Sequence, residues 1–142
     1  PLALILLDVD GFKAFNDHYG HLAGDACLQS LALTLTQVLA HRESDLVARF
    51  SGDKFIVLMP GAEELVAAAL ARQVLTTVRA LQLTHHGAPS GVVTVSVGVA
   101  SVQPQRDELA ETLVRMVDSA LRRSKQSGRD RVEMAGKSED EA

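Results

Sequence analysis

Tryptophan is absent from the 142-residue chain, and aromatic residues make up only 4% of it. A core in such a sequence has to be built mainly from leucine, valine and alanine. Cysteine occurs once, at Cys27, which excludes an internal disulfide and fits a reducing compartment. Positive charge is in deficit: the formal net charge is −4, which argues against a broad nucleic-acid footprint. Any phosphate ligand must therefore be met by local cations. No signal peptide is read, and no apolar run of membrane-spanning length, so no membrane contact is expected of the domain itself. No internal repeat or low-complexity linker divides the chain. What remains is one domain's length, 46% hydrophobic and 23% charged, as in ordinary soluble globular proteins.

Residues 2–8 (LALILLD) are a short apolar run ending in acid, which reads as a buried strand. Asp10 and Gly11 break it, and 12–19 reads as a short helix. Over 22–41, Leu28, Leu31, Leu35, Val38 and Leu39 recur at helical spacing and predict a long amphipathic helix whose stripe is core. Two apolar runs, 46–50 and 55–59, flank a Gly-Asp turn and predict a hairpin. Residues 62–81 are Ala- and Leu-rich and helical, 85–91 form a loop, and 92–99 (VVTVSVGV) is the most β-branched stretch. A last amphipathic helix is expected over 107–126, stopped by Gly128, with a short strand over 131–134. The order β-α-α-β-β-α-β-α-β predicts an α/β fold with a central mixed sheet flanked by helices. The domain is expected to span 1–135, with 136–142 a disordered tail. Because the chain opens directly on a strand, Pro1 is expected to lie inside a longer protein.

Asp8-Val9-Asp10 sits at the C-terminal end of the first strand, where open α/β sheets bind ligands. Two carboxylates with a backbone carbonyl between them are able to hold Mg²⁺ on a nucleotide phosphate. Equally, Asp10 is placed to cap the following helix. A calcium loop is excluded, since Lys13 and Tyr19 stand where it wants glycine and glutamate. Gly136-Lys137-Ser138 ends like a phosphate loop, but its leading position is Arg131. Lys125 and Arg129 straddle the end of the last helix, either complementing its dipole or serving a ligand. His21 and the His85-His86 pair lack the acid or cysteine spacing of a zinc site and read as surface or loop residues.

The turn Arg49-Phe50-Ser51-Gly52-Asp53-Lys54-Phe55, behind an Asp-x-Asp strand, resembles the signature hairpin of the GGDEF family. Further marks fall in register: DVDGFKAFND (8–17), YGHLAGD (19–25), TVSVGV (94–99) and KQSGR (125–129). Together they span residues 2–132. The lead-in helix with its DxLTGLxNR segment that usually precedes these marks is absent.

The resemblance implies a fold similar to nucleotidyl-cyclase palms, ferredoxin-like in its core, and a cytoplasmic domain of cyclic di-GMP signalling. Two copies would each present one GTP to the other, as a homodimer in the longer protein and without nucleic acid. On matching positions it implies Asp8, the Val9 carbonyl and Asp53 holding Mg²⁺ or Mn²⁺. Asn16 and Asp25 would read the guanine edge, while Lys13, Lys125 and Arg129 meet the triphosphate. Ser51, in place of the first signature glycine, narrows the ligand approach, and Gly52 would admit the ribose and α-phosphate. The implied chemistry is attack of one ribose 3′-oxygen on the partner's α-phosphorus, with Asp53 and the altered position Lys54 at the catalytic turn. An acid is usual where Lys54 stands. At ~5 Å and an effective dielectric of ~20, each unit of charge product there is worth on the order of 3 kcal/mol.

Arg42-Glu43-Ser44-Asp45 falls where the family places its RxxD product-inhibition site, so Arg42 and Asp45 are expected to bind cyclic di-GMP. The second arginine of such a site would fall near Gln73, with Arg72 adjacent. The altered signature then implies a catalytically impaired module that binds cyclic di-GMP, GTP or both as a regulator. The alternative is an active or weakly active diguanylate cyclase condensing two GTP, and a third reading is a structural dimerisation spacer.

Overall fold

The computed structural model describes residues 1–40, 42–104 and 110–136. Nine elements follow in the expected order: β1 (Leu2–Val9), α1 (Phe12–Tyr19), α2 (His21–Leu39), β2 (Leu46–Ser51), β3 (Lys54–Pro60), α3 (Glu64–Ala80), β4 (Val95–Val102), α4 (Ala110–Gln126) and β5 (Val132–Met134). They form one five-stranded sheet, β2-β3-β1-β4-β5. It is mixed, because β5 runs parallel to β4 while the other pairs are antiparallel.

β1 is central, and Ala3 to Val9 are buried because both sheet faces are covered. Its alternation assigns the two faces. Ala3, Ile5, Leu7 and Val9 join the buried residues of α1, α2 and α3, whereas Leu4 and Leu6 join Leu113, Val117 and Leu121 of α4. Asp8 continues the second set, so the strand delivers its acid to the face that α4 covers. Gly98 of β4 makes that covering close: a Cβ there would lie 2.5 Å from both Leu121 N and Val117 O. Only glycine lets the α4 backbone rest on the sheet and bring its last turn over the end of β1.

Two expectations shift. β4 starts at Val95 rather than 92, because Val92 is drawn into an isolated bridge with Thr84 while β1 pairs with 95–102. α2, a helix of 19 residues with a mean hydropathy of 1.2 in its most apolar stretch, has the length and composition of a membrane span, contrary to the expectation that no such run exists. Its buried stripe, including Leu28, Leu31, Leu35, Val38 and Leu39, packs into the core, which is why it is apolar. Residues 107–109 of the expected last helix, His41 of the long helix, and 137–142 of the expected tail lie outside the described residues. Gly136 is described, and its N–H donates to Glu64 Oε1 at 3.0 Å.

Candidate functional site

Asp8 is 2% exposed at the end of β1. Its Oδ2 pairs with Lys125 Nζ from the last turn of α4, and its Oδ1 is buried without a partner. Burial pushes its carboxyl up from 3.8 to about 6. The hydrogen bond from Lys125 opposes that rise, and the neighbouring Asp53 carboxyl adds to it. Asp53 arrives with the hairpin turn: Val9 N–H donates to the Asp53 carbonyl at 3.2 Å, which ties the turn to the end of β1. Lys54 opens β3 directly opposite Asp8 in the β1–β3 ladder. By the same alternation its side chain leaves the sheet on the α4 face, as that of Asp8 does. Asp8, Val9, Asp53, Lys54 and Lys125 are therefore one cluster.

Ser51 and Gly52 are exposed at the hairpin tip, with open space where a Cβ on Gly52 would sit. The tip is braced by Arg49, whose Nε and Nη2 donate to the Gly52 carbonyl at 3.0 and 2.5 Å. A register shift between Arg49 and Ser51 lets the turn project beyond the ladder.

Asp10 is neither a helix cap nor part of this cluster. Gly11 occupies the α1 N-cap position, and no side chain caps the helix. The Asp10 carboxylate instead accepts from Thr94 Oγ1 at 2.8 Å, Ser96 Oγ at 2.6 Å and Asp130 N–H at 3.1 Å. It fastens the loop after α4, which carries Arg129, to the sheet. The role was invisible in the sequence because two of its partners are hydroxyls that α/β packing alone brings within reach.

Lys13 is exposed on α1, and Asp25 is exposed on α2. Asn16 is held against α2 by Gly24: a Cβ on Gly24 would lie 1.8 Å from Asn16 Oδ1, itself buried and unpartnered. Asp25, Gln29, Val47, Arg49 and Phe55 line an open cleft of about 460 Å³ between α2 and the hairpin strands. His85, expected to be a surface or loop residue, lies in the loop between α3 and β4 but is 2% exposed. Its Nε2 lies 3.1 Å from the Gly11 carbonyl and its ring meets Phe15 edge-on, so it packs behind the β1–α1 turn. A carbonyl only accepts, so Nε2 carries the proton there.

Arg42 and Asp45 stand apart, at the far end of the hairpin strands. Arg42 donates Nε to Asp45 Oδ2 at 3.3 Å and Nη2 to Oδ1 at 2.9 Å, and its N–H adds a third contact at 3.2 Å. They border a second cleft with Met59, Gly61, Val66 and Leu70. β3 runs from Lys54 at one site to Met59 at the other, roughly 17 Å at a strand's rise per residue.

Among the described residues no three His, Cys, Asp or Glu side chains group to hold a metal. Asp8, Asp53 and the Val9 main chain offer oxygen donors only, the set a hard dication takes. The unpartnered, buried Asp8 Oδ1 is the atom such an ion would satisfy, so the residues fit Mg²⁺ or Mn²⁺.

A sequence model of the family described as diguanylate cyclase, GGDEF domain, matches residues 1–131. The chain is 37% identical over 134 residues to diguanylate cyclase DgcP of Pseudomonas aeruginosa, covering 94% of this chain and 19% of that protein. It is 35% identical over 134 residues to diguanylate cyclase A of Treponema denticola, covering 94% of this chain and 35% of that protein. The chain thus spans between about a fifth and a third of these relatives. Among solved structures, the GGDEF domain of DgcB from Caulobacter crescentus, in complex with cyclic di-GMP, superimposes with a TM-score of 0.84 at 31% identity. That match covers 95% of this chain and 78% of the other. The active GGEEF domain of a diguanylate cyclase from Vibrio cholerae gives 0.79 at 28% identity, covering 96% and 84%.

Proposed function

Because the chain belongs to the GGDEF family of diguanylate cyclase domains, we propose that it is a catalytically impaired member, one that binds GTP and cyclic di-GMP as a regulatory module. One observation carries this reading: Lys54 stands opposite Asp8, the first of the proposed metal ligands, in the β1–β3 ladder. Asp8 and Asp53 bring two negative charges, which Lys125 and Lys54 cancel. An acid at position 54 would leave two negative charges in excess, the complement of one dication. Lysine removes that excess and also the carboxylate itself.

In this reading Asp8, Asp53 and the Val9 carbonyl hold a divalent ion with GTP. When bound, the ion supplies positive charge to the phosphates. Lys125 leaves Asp8 to meet the triphosphate, joined by Lys13 and Arg129. Asn16 and Asp25 hydrogen-bond the guanine edge. Synthesis would need the ribose 3′-hydroxyl of the GTP on one copy to lose its proton and attack the α-phosphorus of the GTP on a second copy, breaking the α–β phosphoanhydride and releasing pyrophosphate, so turnover requires a homodimer. Lys54 Nζ places a positive charge at the turn, where a carboxylate would otherwise assist deprotonation of that hydroxyl.

A second reading, an active or weak cyclase, is favoured by the retention of Asp8, Asp53, Asn16, Asp25, Lys125 and Arg129. Calorimetric titration with GTP and with cyclic di-GMP, each with Mg²⁺, combined with product analysis, separates the two. Binding without product supports the impaired module, product supports the cyclase, and neither binding nor product overturns both.

A further inference from the structure

Arg129 and Asp130 are consecutive residues with positive φ, at 64° and 49°. Side-chain-bearing residues persist in this region only where their surroundings over-determine them. The surroundings here can be named. Arg129 N–H donates to the Ser124 carbonyl at 2.9 Å. The next peptide N–H, that of Asp130, donates to Asp10 Oδ2 at 3.1 Å. From the last turn of α3, Arg79 Nε donates to both Asp130 carboxylate oxygens at 3.0 Å, and Nη2 donates to the Asp130 carbonyl at 3.2 Å. Asp10 thus holds the peptide before Asp130, and Arg79 holds the side chain and the peptide after it.

The consequence falls on Arg129, whose N–H is held by the Ser124 carbonyl and whose own carbonyl accepts from Arg131 Nε at 3.1 Å, while its guanidinium makes no hydrogen bond or ion pair among the described residues. Arg129 borders the same cleft as Gly11 of the β1–α1 turn. We propose that Arg79 is a positioning residue of the nucleotide site: by gripping Asp130 it holds Arg129 in the left-handed conformation that presents its guanidinium to the phosphates of GTP. The proposal rests on the reading of Arg129 as a phosphate contact. The pair is poorly explained as a stability device, since its side chains are 45% and 32% exposed and surface ion pairs add little to folding. That exposure also means Arg79→Ala can be made without emptying the core.

The test uses the full chain, a GTP analogue that cannot turn over, GMP, and Mg²⁺. Arg79→Ala is expected to weaken the GTP analogue about three- to tenfold and to leave GMP unchanged, because GMP lacks the outer phosphates. Asp130→Ala should give the same loss, and Arg79→Ala should add nothing on an Arg129→Ala background. Arg115→Ala, which removes the same charge from α4, should have no effect. Equal losses for GMP, or a full loss on the Arg129→Ala background, overturn the proposal. A second readout needs no ligand: ¹⁵N relaxation should show the Arg129 amide becoming mobile in Arg79→Ala and not in Arg115→Ala. An unchanged Arg129 amide overturns the clasp by itself. Failure of the unaltered chain to bind the GTP analogue overturns the nucleotide reading of the site and, with it, the ligand assigned to Arg129.

Discussion

Lys54 and Asp8 are direct partners across the antiparallel ladder between β3 and β1. Directly opposed positions place Cβ atoms about 5 Å apart, so the two side chains share one environment. A charge at position 54 is therefore carried on the strand position next to the carboxylate that would hold the metal, and not merely on the hairpin tip. The unaltered chain, fused to a dimerising partner and supplied with GTP and Mg²⁺, is expected to give no detectable cyclic di-GMP by chromatography. Lys54→Glu should restore product, since every other cluster member is in place. Robust synthesis by the unaltered fusion would sink this account.

Asp8 gives a pH dependence of known sign. Its folded carboxyl titrates near 6 and its ordinary value is 3.8, so in that window the folded state holds a proton that the unfolded state has lost. Stability from this group is fully present below pH 3.8, declines as pH rises, and levels off above 6. A rise of that size corresponds to on the order of 3 kcal/mol. In chelator-containing buffer at pH 7, Asp8→Asn is therefore expected to raise unfolding stability by about 1–3 kcal/mol and to flatten the profile between pH 4 and 6. Saturating Mg²⁺ should stabilise the unaltered chain and not Asp8→Asn. Denaturant unfolding across pH checks both signs.

Much of this was legible in the sequence, for physical reasons that can be located. The strand ending in Asp8, the stripe on α2 and the Gly-Asp turn each follow a local rule, periodicity or turn chemistry, that needs no distant residue. Asp10, Gly24, Arg79 and His85 obey no such rule. Asp10 finds Thr94 and Ser96 more than eighty positions away, and Arg79 finds Asp130 across 51. The glycine of YGHLAGD was visible, but its reason, the amide of Asn16 lying where a Cβ would be, appears only once α1 and α2 pack.

That packing makes Gly24 a test of the guanine contacts. A methyl group there meets Asn16 Oδ1 at 1.8 Å, so the amide must turn away. Gly24→Ala is expected to weaken GTP at least tenfold, as Asp25→Ala should by deleting the neighbouring contact, with cyclic di-GMP binding at Arg42 unaffected. Calorimetry with both ligands on both variants checks this. Unchanged GTP affinity in Gly24→Ala would remove Asn16 from the site.

Arg42 and Asp45 are expected to bind cyclic di-GMP independently of the hairpin tip. The Asp45 side chain is 1% exposed and is occupied by the Arg42 side chain and N–H, while the Arg42 side chain remains 47% exposed. Asp45 is thus the buried anchor, and Arg42 is the fork it holds ready at the mouth of the cleft. Guanidinium geometry suits a phosphate or a guanine edge, and a fork already held by its own carboxylate loses less entropy on binding. Removing one partner of a charge-assisted contact costs about 1.5–3 kcal/mol, roughly 10- to 150-fold in affinity. Gln73 continues the α3 face of Val66 and Leu70 toward the cleft. It supplies no second cation there, so the starting affinity should be modest. Titration of cyclic di-GMP should therefore show loss of binding in Arg42→Ala, a smaller loss in Asp45→Asn and none in Lys54→Ala. The separation of the two sites along β3 makes the last arm decisive. If Lys54→Ala weakens cyclic di-GMP as much as Arg42→Ala does, the ligand sits at the reaction centre, and the RxxD cleft is empty of function.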